Sequence, residues 1–228
     1  VKGTGQTSRG CEDECARSLP PGKIHEKVSW RGEKFPASEA LVLPSQVNYV
    51  GLATDLYAAG YRYHGSAQVI LKQLRTGWLW EKVRVQGGAY GAFCFLDRFT
   101  GAFALVSYRD PNIASTLDSF TRTAEHLITS APGKRELESA IVGAIGELDA
   151  YMLPDAKGMT SFTRDYSGDT EELRSRLRDE VLGTGPEHFR AFGEALRDSV
   201  KNAKRCAMGG PDLERLATDP GWAIQRLP

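Results

Sequence analysis

The stretch YGAFCFLDRFTGAFALVSYRDPN, residues 90–112, decides the fold class. Tyr90–Leu96 and Ala102–Tyr108 are apolar and aromatic runs joined by the short segment DRFTG, which ends on Gly101. Two such runs around a glycine-containing loop are the signature of a β-hairpin. Immediately afterwards the period changes. Asp110 stands where it would cap a helix with Pro111 in its first position, and Ile113, Leu117, Phe120, Ala124 and Leu127 then share one helical face.

Further along, Leu137, Ile141, Ile145, Leu148 and Met152 mark a second helix, which Pro154 stops. LPDAKGMTSFTRDYSGD (153–169) reads as a loop. Leu173, Leu177 and Val181 mark a third helix. Thr184 with Glu187 forms a capping box for a fourth, which buries Phe189, Phe192, Leu196 and Val200. A short RCAM strand (205–208) closes the sheet. Towards the N-terminus, ALVLPSQVNYVG (40–51) reads as the first strand, bent or at a sheet edge because of Pro44. SAQVILKQLRTGWLW (Ser66–Trp80) reads as a helix capped by Ser66, with Val69, Ile70, Leu74 and Trp78 at helical spacing. Strands first and helices after imply an α+β fold, an antiparallel-rich sheet with helices packed on one face.

Residues 1–34 are a different kind of sequence. Gly, Ser, Thr and charge dominate, with Pro20-Pro21-Gly22 and few large apolar side chains. This segment reads as a linker or partly disordered approach from a preceding domain, and residues 35–228 as the folded domain. The chain begins at Val1 and shows no signal-peptide core, so it reads as a fragment or a processed piece, with any targeting segment outside it. Composition is that of a globular protein, 41% hydrophobic and 25% charged, with 29 basic and 29 acidic residues. Zero formal charge removes the basic footprint of a typical nucleic-acid binder and of polybasic membrane attachment. The four cysteines are too few for a disulfide scaffold of this size and read as reduced thiols.

Chemistry-bearing motifs are few. His25, His64, His126 and His188 are far apart in sequence, and none belongs to H-x-x-E-H or its inverse. Glu125-His126 reads as a solvated pair, Cys94 as core, and Cys11 with Cys15 lacks a second ligand pair for zinc. There is no G-x-S-x-G nucleophile elbow and no phosphate-binding G-x-x-x-x-G-K-[ST]. WLWEKVRVQGGAYGAF (Trp78–Phe93) is the most unusual stretch. Gly87 and Gly88 permit a bend, across which Arg84 and Tyr90 would project toward one extended substrate, Arg gripping carbonyls and Tyr donating to negative charge. The bland reading is a glycine bend with Arg84 ion-paired and Tyr90 packed. The residues alone favour it. SYRDPN (107–112) reads mainly as a helix start.

RVQGGAYG followed by SYRDPN, within the ordered series QVNYVG, GSAQVILKQLRTGWLWEKVRVQGGAYGAF, GAFALVSYRDPN and AIGELDAYMLPDAKG, resembles the C-terminal domain of the presequence protease and falcilysin group. These are pitrilysin-type (inverzincin) zinc metallopeptidases. The likeness covers roughly Phe35 to Met208. It implies one domain of a four-domain clamshell whose absent N-terminal half carries zinc, its ligands and the general-base Glu. Arg84 and Tyr90 match the pair that reaches across the chamber to hold substrate backbone and stabilise the oxyanion, presented by Gly87 and Gly88. The implied substrates are unfolded peptides such as cleaved targeting presequences. The implied partner is the N-terminal catalytic half of the same polypeptide, in a monomeric enzyme of the mitochondrial matrix or a plastid. The fragment alone is expected to bind no metal and to be inactive, with no nucleic-acid or membrane partner. The alternative is a non-catalytic structural subunit related to mitochondrial processing peptidase, and an upstream H-x-x-E-H would decide between them.

Overall fold

In a computed structural model of the chain, residues 17–18, 29, 32, 34–218 and 221–227 are described. By backbone contacts the chain divides into Val1–Phe35 and Pro36–Pro228, and the architecture below is that of the second unit. The Cys11–Cys15 pair and His25 lie outside the described residues.

Six strands form one mixed sheet: β1 (Ser38–Val42), β2 (Tyr49–Asp55), β3 (Gly91–Leu96), β4 (Ala102–Tyr108), β5 (Lys204–Gly209) and β6 (Trp222–Arg226), in the order β3-β4-β2-β5-β1-β6. The β3–β4, β2–β4 and β2–β5 pairings are antiparallel, whereas β1 runs parallel to both β5 and β6. The hairpin read from the sequence is there, with Cys94 opposite Leu105. Its turn closes on Gly101, at φ 77°, where Asp97 accepts the Gly101 N–H at 2.8 Å.

Several expectations are corrected. ALVLPSQVNYVG is two strands, separated around Pro44, that flank β5 on opposite sides rather than pairing with each other. RCAM does not close the sheet but lies within it, and the missed β6 forms the edge. Pro154 does not merely stop a helix: it opens one, because a residue without an N–H fits the first turn. The segment read as a loop is thus mostly helix. The helices are α1 (Ser66–Thr76), α2 (Ala114–Thr121), α3 (Thr123–Thr129), α4 (Lys134–Leu148), α5 (Pro154–Tyr166), α6 (Glu171–Leu182) and α7 (Pro186–Val200).

Three caps also differ. Ser66 is the first residue of α1, and its N–H is accepted by His64 Nδ1 at 3.2 Å. Asp110 caps from farther away: its carboxylate takes the Asn112 N–H at 2.8 Å and the Thr116 hydroxyl at 2.7 Å, so the helix begins at Ala114. The proposed Thr184–Glu187 box is absent. Instead His188 Nδ1 accepts the Gly185 N–H at 3.0 Å, and the Thr184 hydroxyl donates back to the Glu180 carbonyl.

The alternation of the strands explains where the core sits. Val50, Leu52, Cys94, Phe103 and Leu105 share one face of the sheet and are buried against Ile70, Leu74, Phe120, Leu127, Phe189, Phe192 and Leu196 from the helices. Phe103 and Phe192 meet edge to face at 5.6 Å. On the same face, Ala40, Val42, Ala207 and Trp222 pack on Leu213 of a 3₁₀ segment, Pro211–Thr218. Phe93 and Phe95 project from the other face and are largely exposed.

Candidate functional site

α1 ends at Gly77, whose N–H closes onto the Gln73 carbonyl at 2.8 Å. The chain then winds through a π-helical segment, Trp80–Gln86, rather than extending α1 to Trp80. Single wide turns of this kind recur at functional sites. Trp78 anchors the segment, its indole N–H donating to the Thr123 hydroxyl at 3.0 Å and the Ser119 carbonyl at 3.2 Å. Val83 faces the core. That leaves Trp80 and Arg84, four residues apart and both exposed, on the outer wall.

The two glycines have different tasks. At Gly87 the backbone is helical, but a Cβ would stand 2.5 Å from the Val83 carbonyl oxygen, so only glycine lets the chain turn this closely. Gly88 has φ 80°, a left-handed conformation that costs an ordinary L-residue about 1–2 kcal/mol. The Asn112 side-chain amide donates to the Gly87 carbonyl and ties this turn to the SYRDPN segment. Tyr90 follows, its N–H shared between the Tyr108 and Arg109 carbonyls at 3.1 and 3.2 Å. Arg109 itself sits at φ 48°, with its guanidinium 5.5 Å from the Tyr108 ring.

Arg84 and Tyr90 are therefore brought together. The Arg84 guanidinium carbon is 4.0 Å from the Trp80 ring centroid and 6.0 Å from that of Tyr90. Among the described residues no carboxylate lies within ion-pair distance of Arg84. Tyr90 is 65% exposed, its ring edge-on to Tyr108 at 5.7 Å. The ion pair and the packing of the bland reading are not what the structure has. Both side chains line a cavity of about 640 Å³, together with Trp80, Gly91, Ala92, Phe93 and Tyr108. Gly87 and Gly88 shape the turn without lining it. Chemically, the wall offers a guanidinium fork and a phenol donor beside aromatic surface. Trp80, Phe93 and Asn112 were not singled out from sequence, whereas Tyr108, at a strand end, is legible there as a binding residue, with the structural reading preferred. The four-residue spacing of Trp80 and Arg84 was the one readable signal.

His64 and His188, distant in sequence, stack at 4.8 Å. His126 is not a solvated partner of Glu125: it stacks on Trp78 at 4.4 Å, and burial holds its pKa below the ordinary value. Cys94 is core, its thiol pushed up to about 12 by burial. Among the described residues no three His, Cys, Asp or Glu side chains are grouped to hold a metal ion, so these residues do not fit a zinc centre. No helix among them is long and apolar enough to cross a membrane.

Comparison with known proteins gives this geometry a context. The chain is similar to presequence protease 1, chloroplastic/mitochondrial, of Arabidopsis thaliana, with 45% identity over 178 residues, 78% of this chain and 16% of that protein. It is 27% identical over 184 residues to the mitochondrial presequence protease of Mus musculus, covering 81% of this chain and 17% of that one. The chain thus spans under a fifth of the length of these relatives. Among solved structures, a protease from Helicobacter pylori aligns with a TM-score of 0.66 at 14% identity, over 92% of this chain and 53% of the other. A peptidase M16 inactive domain from Pseudomonas fluorescens aligns at 0.63 and 18%, over 90% of this chain and 50% of the other. At these identities the likeness is one of fold, an α+β domain of the pitrilysin kind. A family model described as PreP C-terminal domain matches residues 38–208, and the chain belongs to that family.

Proposed function

We propose that this chain is the substrate-holding C-terminal domain of a zinc metalloendopeptidase that degrades unfolded peptides, such as cleaved targeting presequences. Arg84 holds the peptide backbone through its carbonyl oxygens, and the Tyr90 hydroxyl donates to the oxygen that becomes negative during cleavage. The observation that carries this reading is the shared cavity: an exposed guanidinium with no carboxylate partner among the described residues stands beside an exposed phenol. An Arg so placed keeps its fork of donors for a ligand. A phenol aimed at developing charge contributes in the transition state rather than in binding alone.

On this reading, which follows the family resemblance, the zinc ligands and general base belong to the N-terminal half of the longer polypeptide. Hydrolysis then requires both halves, and the 228-residue chain by itself cleaves nothing. The names of the Arabidopsis and mouse relatives support a mitochondrial or plastid setting; that the enzyme is a monomer of the matrix or of a plastid rests on the family resemblance alone.

Tyr90→Phe in the full-length enzyme tests the reading. Loss of one oxyanion donor is expected to lower kcat by about 10²–10³, with the thermal midpoint preserved because the Tyr90 side chain is mostly in solvent. Unchanged turnover would remove Tyr90 from the reaction. Chelator-sensitive peptidase activity from this chain alone would overturn the division of labour.

A further inference from the structure

Gly87-Gly88 is the least constrained dipeptide of the turn, because glycine takes either hand of backbone at little cost. Tyr90, two residues on, depends on which conformation the pair adopts. Its ring is mostly in solvent and meets Tyr108 edge-on at 5.7 Å, so its direction follows its backbone rather than packing around it. A contact from outside the turn has to choose one conformation of the two glycines.

The far end of the hairpin supplies that contact. Gly87 closes the π-helical segment, and a carbonyl at a helix end has no N–H ahead of it in the helix. The Asn112 side-chain amide donates to it from 25 residues away in sequence. Beside it, the Pro111 ring stands 3.6 Å from the position that a Cβ would take on Gly88. Asn112 is itself fixed. Its N–H is accepted by the Asp110 carboxylate at 2.8 Å, and Asp110, fully buried, also accepts the Thr116 hydroxyl at 2.7 Å. The Asp110 backbone pairs both ways with Asn48, just before β2, at 2.8 and 3.0 Å. A chain of bonds therefore runs from the sheet through Asp110 and Asn112 to Gly87. Arg84 is held differently, by the Trp80 ring and by its own carbonyl, which accepts the Gly88 N–H at 2.9 Å.

We propose that Asn112 is a positioning residue for Tyr90: its amide selects the conformation of Gly87-Gly88 that presents the phenol to the substrate. The inference rests on the oxyanion role given to Tyr90 above and deepens it. Asn112 touches no substrate and acts through Tyr90. Without its donor the phenol is present but less often in place, which slows the chemical step and spares the backbone grip of Arg84.

A double-mutant cycle in the full-length enzyme tests this. Asn112→Ala should lower kcat at least about tenfold, while KM changes by less than about twofold. Asn112→Asp keeps the shape but turns an anionic oxygen toward the Gly87 carbonyl, and should lower kcat at least as far. In both variants amide exchange over 87–90 should quicken about three- to tenfold, the worth of one hydrogen bond, with β4 unchanged. In the Tyr90→Phe background, adding Asn112→Ala should cost less than about a further twofold, because the group it positions has gone. Should Asn112→Ala unfold the domain, Asn112→Asp runs the same cycle. The same loss of kcat in both backgrounds marks a purely structural role and overturns the proposal. So does a kcat untouched by either Asn112 variant where Tyr90→Phe lowers it, which leaves the oxyanion reading standing. Tyr90→Phe without effect removes that reading and the proposal with it.

Discussion

The guanidinium carbon of Arg84 lies 4.0 Å over the centroid of the Trp80 ring and 6.0 Å from that of Tyr90. A flexible cation with no ion pair among the described residues is held by a ring that is itself half in water. Such a contact is worth about 0.5–1 kcal/mol at an exposed site. It positions Arg84 without neutralising it, which a carboxylate partner would not do.

Trp80→Leu removes the ring face and keeps apolar bulk. Peptide affinity of the chain should fall by about two- to fivefold, the equivalent of that contact. Trp80→Phe should recover part of it. As an exposed substitution it should move the thermal midpoint by less than about 2 °C. Unaltered affinity in Trp80→Leu would mean that the stacking does no positioning.

The two glycines of the turn should respond to different substitutions. Gly88→Asn should be milder than Gly88→Ala, because Asn tolerates the left-handed region, and the Ala variant should lose about 1–2 kcal/mol. Gly87→Asn should be no better than Gly87→Ala, since the obstacle there is the Val83 carbonyl, 2.5 Å from any Cβ. Urea denaturation of the four variants gives the ranking. Equal rescue by Asn at both positions would contradict the assigned geometry.

His126 gives the folded domain a defined response to acid. Burial is the largest influence lowering its pKa, Glu136 opposes it, and Lys82 adds to it. A histidine whose folded value is depressed contributes stability that is fully present above the unfolded value of about 6.5 and is lost as pH falls through the folded value. The unfolded chain takes up the proton first. In denaturation profiles between about pH 8 and 5, His126→Gln should flatten this part of the acid slope relative to the parent. A slope identical in both proteins would show that His126 is not responsible.

What could be read in advance follows the range of the interactions that determine it. The β3–β4 hairpin was legible because its alternation and its glycine turn are local, and α7 because Phe189, Phe192 and Leu196 repeat on one face. β6 was missed because WAIQR carries little apolar signal and is a strand only through its parallel pairing with β1. The Thr184–Glu187 box failed because His188 supplied the capping acceptor instead. At the site, Gly87-Gly88 drew attention to Arg84 and Tyr90, but the family resemblance, rather than the residues, turned the choice toward function. Asn112 and Phe93 could not be read at all: one reaches Gly87 from the far end of the hairpin, and the other matters because its strand face is open.

The helix α5 shows the same limit from the side of stability. Pro154 opens it, but no residue along Pro154–Tyr166 is buried, and Met159, Phe162 and Tyr166 are 66%, 65% and 87% exposed. A thirteen-residue helix with Gly158 in its middle is marginal in water unless packing supports it. α5 should therefore open far more readily than the domain as a whole, and its amides should exchange well before those of α7, whose Phe192 and Leu196 are fully buried. Point substitutions sharpen the contrast. Phe162→Ser should cost under about 0.5 kcal/mol, whereas Phe192→Ala should cost about 3–5 kcal/mol because it leaves a cavity against Phe103 and Tyr61. Exchange protection in α5 equal to that in α7 would mean that the helix is supported by something other than its own buried surface.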